Sequence, residues 1–146
     1  SFQTVAAGDH TSCGVTQQEE LDCWGSNLSS EASPPGGAGW TNVAVGNNFG
    51  CALGSADEVS CWGNVPPTPP TGVFAALAAR GYHVCGLRPS GAVECWGNDR
   101  QGETYAPAGT DFVQVCAGFE HSCALSLDNS IVCWGSNSDG QLSPPF

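Results

Sequence analysis

Eight of the nine cysteines in this chain form four pairs, and the members of each pair are ten positions apart. In every pair, the second cysteine is followed directly by Trp-Gly. Successive pairs begin 38, 34 and 38 residues apart, which is a typical length for a propeller blade, so an internal repeat organises the whole chain. The pairs are Cys13 and Cys23, Cys51 and Cys61, Cys85 and Cys95, and Cys123 and Cys133.

Further residues recur at fixed offsets from the first cysteine of each pair. Aliphatic residues lie two and eight positions after it, and an aromatic residue lies eleven positions before it. Short apolar segments separated by turn residues predict three strands per unit and an all-β fold. We expect four units, at residues 1–38, 39–72, 73–110 and 111–146. The recurring aromatic residues are Phe2, Trp40, Phe74 and Phe112.

The second and third segments of each unit are predicted to form a hairpin. When Cys123 lies opposite Cys133, Leu125 lies opposite Ile131, and all four side chains share one face because strand side chains alternate. Opposed cysteines lie within the distance that a disulfide needs, whereas a zinc site would need further ligands for each pair. We therefore predict one disulfide across each hairpin. Each hairpin turn has one position that requires left-handed backbone, and the residues at these positions are Glu19, Asp57, Gly91 and Asn129. Of these four residue types, glutamate suits that conformation least.

Charge and composition argue against several classes of function. The net charge is −11 and three scattered arginines are the only basic residues besides histidine, so binding to nucleic acid or to anionic lipid is not expected. The longest apolar run, residues 73–79, is too short to cross a membrane as a helix. This run has helical propensity, but its alignment with the other units predicts a strand. The 20 glycines and 10 prolines also argue against a helical bundle.

The repeat resembles that of the regulator of chromosome condensation family. The family's Val-x-Ala-Gly turn is matched at residues 5–8 and 115–118, and its Trp-Gly-x-Asn and Gly-Gln-Leu elements are matched within residues 134–142. His83 and His121 match the histidine before its buried strand. The paired cysteines are similar to those of a secreted branch that includes crinkly-type receptor ectodomains and bacterial exported repeat proteins. The resemblance implies a propeller-type fold, which the family usually closes with more than four blades.

No catalytic or metal site is predicted. The chain lacks a Gly-x-Ser-x-Gly elbow, a Walker loop and a His-Glu-x-x-His motif. His10, His83 and His121 come from different units, and we interpret them as hydrogen-bonding partners of backbone groups within their blades. We expect no cofactor, and we predict that the protein is not an enzyme.

Cys116 is the ninth cysteine, and alanine takes its place in the other three units. This favours a small, buried thiol, while an intermolecular disulfide or a redox-active thiol is the alternative. The four tryptophans of the Cys-Trp-Gly motifs are expected to pack in the core between neighbouring blades rather than to form a stacking platform for sugars.

Residues in two connectors are candidate modification sites. Asn27 lies in the only Asn-x-Ser/Thr sequon, so it is a candidate for N-glycosylation. Residues 66–71 are rich in proline and form either a stiff connector or a segment for partner docking or O-glycosylation at Thr68 and Thr71.

We therefore expect an all-β, propeller-type array of four short disulfide-pinned blades, either closed as a ring or assembled head-to-tail. The predicted role is that of a secreted or cell-surface structural module, a subunit of an assembly or filament, with Phe2 and Phe146 as contacts. The alternative is an inhibitor or receptor-like propeller that binds protein through Tyr82, Tyr105 and Phe119 on one rim. We expect the partner of this protein to be a second copy of itself or another extracellular protein. We expect neither binding to nucleic acid nor insertion into a membrane.

Overall fold

Four three-stranded sheets make up the protein in a computed structural model that describes residues 1–64 and 68–145. Within these ranges, no helix is long and apolar enough to cross a membrane. The strands are β1 (Phe2–Ala7), β2 (Thr11–Thr16), β3 (Leu21–Gly25), β4 (Asn42–Val45), β5 (Phe49–Leu53), β6 (Val59–Gly63), β7 (Ala76–Arg80), β8 (His83–Leu87), β9 (Val93–Gly97), β10 (Phe112–Ala117), β11 (His121–Ser126) and β12 (Ile131–Gly135).

Each sheet is an antiparallel meander of three consecutive strands, and we number these sheets as blades 1 to 4 in chain order. The paired cysteines lie directly opposite each other in the second and third strands of every blade. All four predicted disulfides are formed, each within its own blade. The predicted hairpin register is also found, since Leu125 lies opposite Ile131. The all-β, disulfide-pinned blade architecture is therefore confirmed.

The hairpin turns each contain one residue in the left-handed region. The four predicted turn residues have φ values from 60° to 86°, and Glu19 adopts φ 60° although glutamate is unfavourable there. The carbonyl oxygen of each turn residue in blades 1 to 3 accepts a hydrogen bond from the first aromatic residue of the next blade, which links turn conformation to blade packing. The distances from backbone N to backbone O are 3.0 Å from Trp40 to Glu19, 3.0 Å from Phe74 to Asp57, and 3.1 Å from Phe112 to Gly91.

The apolar run that favours helix locally is a strand, β7, as its place in the repeat predicts. Leu77 in this strand is buried in a core cluster shared with blade 2. Differences in helix propensity among ordinary residues are below about 0.7 kcal/mol, whereas burying one leucine side chain stabilises a fold by about 1.5–3 kcal/mol. Packing therefore outweighs local preference in this segment.

Consecutive blades pack with unlike faces together. We call one side of each blade the disulfide face, because it carries the paired cysteines and their aliphatic neighbours. The other side is the aromatic face, which carries the first aromatic residue and the tryptophan of the Cys-Trp-Gly motif. Every core cluster joins the disulfide face of one blade to the aromatic face of the next. Between blades 3 and 4, the buried residues are Cys85, Leu87, Val93, Phe112, Val115, Ala124 and Trp134.

The first strands of all four blades line a common central space of about 350 Å³. The core clusters connect blade 1 with 2, blade 2 with 3 and blade 3 with 4, and none of the described residues forms such a cluster between blades 4 and 1. The blades therefore form a curved array in which one aromatic face and one disulfide face are exposed.

Candidate functional site

The exposed aromatic face belongs to blade 1. Trp24 is 47% exposed, whereas its three equivalents in blades 2 to 4 are at most 8% exposed. Phe2 and Val5 on the same face are 45% and 64% exposed. The prediction that all four tryptophans lie in the core is therefore wrong for Trp24, because among the described residues no blade packs against it.

The aromatic pair of blade 1 has the geometry of a buried pair. The ring centroids of Phe2 and Trp24 are 5.7 Å apart with the planes at 50°. The corresponding pair in blade 3, Phe74 and Trp96, is separated by 5.6 Å at 44° and is buried in the core cluster shared with blade 2. The exposed face of blade 1 is thus already shaped as it would be within a blade interface.

The exposed disulfide face belongs to blade 4, where it forms an open groove of about 410 Å³. Leu125 and Ile131 line this groove beside the disulfide, and Ile131 is 50% exposed. Their equivalents in the first three blades lie under the following blade. The disulfide face is therefore exposed to solvent in blade 4, whereas in blades 1 to 3 it is covered by the aromatic face of the next blade.

Cys116 lines the same groove and is an exposed free thiol. The expectation that it is buried is wrong, although its equivalents are small residues on the corresponding face. Ala78, at the equivalent position in blade 3, packs against the core shared with blade 4. Cys116 is exposed because none of the described residues forms a blade that packs against this face of blade 4.

The connectors between blades contain a second element of the interface. The backbone carbonyl oxygens of Glu31 and Glu103 accept hydrogen bonds from the indole Nε1–H groups of Trp62 and Trp134, each at 2.8 Å. Both glutamates are fully buried, and each lies seven positions after the tryptophan of the preceding blade. Our sequence analysis missed these acceptors, although this recurring spacing could have identified them.

The glutamate side chains stabilise the turns that present these carbonyl groups. Glu31 Oε2 accepts a hydrogen bond from the backbone N–H of Ser29 at 2.6 Å, and Glu103 Oε2 accepts one from Gln101 at 2.7 Å. Burial by itself raises the pKa of the Glu31 carboxyl, but hydrogen bonds from backbone N–H groups and from the Ser26 hydroxyl hold that pKa below its ordinary value. The ionised form is therefore the one that the fold stabilises.

The C-terminal segment after β12 repeats this turn. Gln141 lies seven positions after Trp134, and its side-chain Oε1 accepts a hydrogen bond from Asp139 N–H at 2.8 Å. Asn137 Oδ1 accepts one from the backbone of Leu142 at 3.0 Å, as Asn27 does from Ala32 at 2.9 Å. The segment thus has the form of a connector that receives a tryptophan.

His83 crosses a blade interface. Its Nε2 lies 2.7 Å from the hydroxyl oxygen of Ser122 in blade 4, so the predicted bond to backbone of its own blade is wrong for this histidine. Burial lowers the pKa of His83, Glu103 partly opposes this, and His121 adds to it. Because both His83 and Ser122 are fully buried, no substrate could reach this pair.

Of the three aromatic residues predicted to form a binding rim, Tyr82 and Phe119 lie together on the surface. Tyr82 and Phe119 form an edge-to-face pair with centroids 6.2 Å apart, and Asn47 donates a hydrogen bond to the Tyr82 hydroxyl at 2.9 Å. Tyr105 lies in the connector between blades 3 and 4 and is also exposed. Arg100 lines an open pocket beside Tyr82.

The candidate modification residues lie on the surface. Asn27, Thr68 and Thr71 are all exposed, and the Asn27 side-chain Nδ2 donates a hydrogen bond to Ser33 Oγ at 3.0 Å. Phe146 lies outside the described residues, as do residues 65–67 of the proline-rich connector. Across the described part of the chain, no group of three or more His, Cys, Asp or Glu residues could hold a metal ion.

Comparison with known proteins shows which repeats this chain is similar to. The model of the regulator of chromosome condensation (RCC1) repeat matches residues 2–30 and 112–141, within blades 1 and 4 and the segments that follow them. The CRINKLY WD40 ectodomain of an Arabidopsis thaliana receptor kinase is 27% identical with a TM-score of 0.77, covering 92% of this chain and 50% of that one. The entire ectodomain of a Physcomitrella patens receptor kinase is 26% identical with a TM-score of 0.80, covering 92% and 39%.

The fold is shared more widely. Prp20p from Saccharomyces cerevisiae, described with its binding to Gsp1p and histones, is 20% identical with a TM-score of 0.81, covering 97% of this chain and 46% of its own. The present chain therefore spans half or less of the length of these solved structures. The predicted resemblance is confirmed, and the fold is one typical of protein-interaction modules.

Proposed function

We propose that this chain, in which residues 2–30 and 112–141 match the regulator of chromosome condensation repeat and every blade contains a disulfide, is an extracellular, non-enzymatic interaction module within a larger assembly. The observation that best supports this is the exposure of two terminal faces whose equivalents are buried between blades. Removing such apolar surface from water is favourable by roughly 25 cal/mol per Å². Exposed apolar patches of this kind typically mark interaction sites.

Disulfide content supports an extracellular location. Disulfides persist in oxidising compartments and are rare in the cytosol and nucleus. Every blade of this protein contains one, and the plant structures to which the chain is similar are receptor ectodomains. The high acidity also fits the proposed absence of nucleic-acid and anionic-lipid partners.

Geometry favours association over catalysis. The Ser–His pair is enclosed within a blade interface, and the exposed thiol of Cys116 lies in an apolar groove beside a disulfide. Reactive cysteines lie beside basic or positively charged groups, and among the described residues no histidine, arginine or lysine lines this groove. The two terminal faces are therefore better suited to binding protein than to chemistry.

Sedimentation of the native, disulfide-intact chain tests the assembly role. The measurement should be made near 0.15 M salt, where the Debye length is about 8 Å, because a net charge of −11 opposes association at low salt. We expect a mass of at least twice the 14.9 kDa of one chain. A mass of one chain at every concentration, up to the solubility limit, would contradict the assembly role.

The aromatic rim supports a second candidate, a receptor-like or inhibitor-like module that binds another extracellular protein. The edge-to-face pair of Tyr82 and Phe119 is exposed, and neither residue lines the groove of blade 4. Aromatic residues of this kind are enriched in the centres of protein interfaces. A Phe119→Ala variant that assembles like the wild type but loses binding to a second extracellular protein would favour this candidate.

A further inference from the structure

We propose that blade 4 contains an internal thiol–disulfide exchange site, in which the thiol of Cys116 attacks the Cys123–Cys133 disulfide and displaces Cys133. The exchange moves the disulfide from strands β11 and β12 to strands β10 and β11. This inference concerns contacts within a single blade. It therefore depends neither on the proposed assembly role nor on what borders blade 4.

The three cysteines of blade 4 lie in one row across the sheet. Cys116 in β10 is directly opposite Cys123 in β11, and Cys123 is directly opposite Cys133 in β12. Directly opposed residues of antiparallel strands place their side chains on the same face. All three cysteines accordingly line the same groove. The free thiol therefore lies beside the disulfide, on the neighbouring strand.

This row of three cysteines is specific to blade 4. In the other three blades, the residue opposite the first cysteine is alanine, at Ala6, Ala44 and Ala78. Each of those blades has the same disulfide but no thiol opposite it. The register at this position is the same in all four blades, so blades 1 to 3 are controls within the same molecule.

The spacing of the strands permits one alternative disulfide and excludes another. Directly opposed residues on neighbouring antiparallel strands have Cα atoms about 4.5–5.5 Å apart, within the range of about 4.4–6.8 Å that disulfides usually span. Cys116 and Cys123 can therefore bond without a change in strand pairing. Cys116 and Cys133 are two strands apart, so their Cα atoms are separated by roughly 9–10 Å, beyond the limit of about 7 Å for a disulfide.

The order of the strands also suits the reaction. In a substitution at a disulfide sulfur, the attacking and the leaving sulfur lie on opposite sides of the sulfur that is attacked. Strand β11 lies between β10 and β12 in the sheet, so Cys116 and Cys133 lie on opposite sides of Cys123. Attack on Cys123 therefore has its leaving group on the far side, as the reaction requires.

The exchange conserves atoms and electrons. The Cys116 thiol loses its proton to water, and the resulting thiolate attacks the Cys123 sulfur. The Cys116–Cys123 bond forms as the Cys123–Cys133 bond breaks, and Cys133 leaves as a thiolate that takes a proton from water. One thiol and one disulfide are present before and after, so no oxidant or reductant is needed. Because both reactants belong to one sheet, proximity takes the place of activation by a base.

The exchange changes how strand β12 is held. This strand lies at one edge of its sheet, and after the exchange no covalent bond joins it to β11. Trp134 in β12 donates the hydrogen bond to the Glu103 carbonyl at 2.8 Å, in the connector between blades 3 and 4. The position of one disulfide therefore controls how firmly β12 supports this interface, and the exchange also creates a new thiol at Cys133.

Two cysteine variants test the geometry. In Cys133→Ala, the two remaining cysteines of blade 4 are directly opposite each other, whereas in Cys123→Ala they are two strands apart. After air oxidation in dilute solution, thiol titration should find no free thiol in Cys133→Ala and two in Cys123→Ala, which is the matched control. Two free thiols in a Cys133→Ala chain that circular dichroism shows to be folded would overturn the proposal.

Alkylation of the wild-type chain tests the exchange itself. Dilute iodoacetamide at mildly alkaline pH reacts slowly with thiolates, so the exchange has time to occur before a thiol is trapped. Peptide mapping should find the label on both Cys116 and Cys133, with a Cys116–Cys123 linkage in the molecules labelled at Cys133. Cys116→Ala should take no label and should retain the fold, because alanine occupies this position in the other three blades.

Each other labelling pattern contradicts the proposed route. Label confined to Cys116, even at the lowest iodoacetamide concentration, shows that no exchange occurs. Label on Cys123 shows attack on the Cys133 sulfur instead. Label on cysteines of blades 1 to 3, or a labelled fraction of Cys133 that rises with protein concentration, shows exchange through unfolding or between chains. None of these patterns bears on the assembly role, which sedimentation tests separately.

Discussion

Replacing tryptophan with phenylalanine at two equivalent positions should have very different effects on stability. Trp62 is 8% exposed, and its indole N–H donates a buried hydrogen bond to the Glu31 carbonyl at 2.8 Å. Trp62→Phe leaves that carbonyl without its donor, which costs about 1–3 kcal/mol, and also removes buried apolar surface. Together these losses should reduce the free energy of unfolding by about 2–4 kcal/mol.

The matched change is Trp24→Phe, at the exposed end of the array. Trp24 is 47% exposed and packs mainly against Phe2, a contact that phenylalanine retains in part. We expect a loss below about 1 kcal/mol, within the usual range for surface substitutions. Both variants should be compared at a concentration where the chain sediments as a single copy, so that assembly does not bury Trp24 during the measurement.

Urea unfolding with the disulfides intact measures both free energies. A lower midpoint with an unchanged m-value would report stability alone. If the two variants lose equal free energy, burial of the indole and its hydrogen bond do not distinguish blade 2 from blade 1, and the argument is refuted. If Trp24→Phe is the more damaging, the exposed face of blade 1 must be packed against something within the single chain.

Two further predictions concern the core. Burial lowers the pKa of His83 in the folded chain, so below pH 6.5 the unfolded chain binds a proton at this residue more readily than the folded chain does. The free energy of unfolding should therefore decrease as pH falls. Urea titrations at several pH values should show a weaker pH dependence for His83→Gln. Replacing Cys51 and Cys61 together with alanine opens a loop with a sequence separation of 10 and should cost about 2.5–3 kcal/mol, measured by thermal unfolding; an unchanged midpoint would contradict this.

Much of the local structure follows from spacing along the chain. The ten-residue interval predicts the hairpin register, because only one register places the two cysteines of a pair directly opposite each other. The same repeat correctly assigns β7 as a strand against its helical propensity. It also predicts left-handed backbone at Glu19, which the residue type alone would not favour.

The candidate site was less accessible to sequence reasoning. The acceptor carbonyl groups at Glu31 and Glu103 belong to irregular connectors of different lengths, and backbone acceptors carry no residue signature. The His83–Ser122 pair joins residues 39 positions apart in different blades. Contacts of this kind depend on how blades stack, which strand alternation within one blade does not specify.

The repeat spacing is enough to predict the strands and register of one blade, whereas the packing of blades against each other fixes which blade surfaces are buried. Trp24 and Trp62 share the same Cys-Trp-Gly motif and occupy the same position in a strand, yet one is exposed and the other is enclosed. Cys116 and Ala78 differ in the same way. Strand formation and register depend on short-range backbone geometry, which every repeat encodes alike. Burial depends on a neighbouring blade, and in the part of the chain that the structure describes blade 1 and blade 4 each have such a neighbour on one face only.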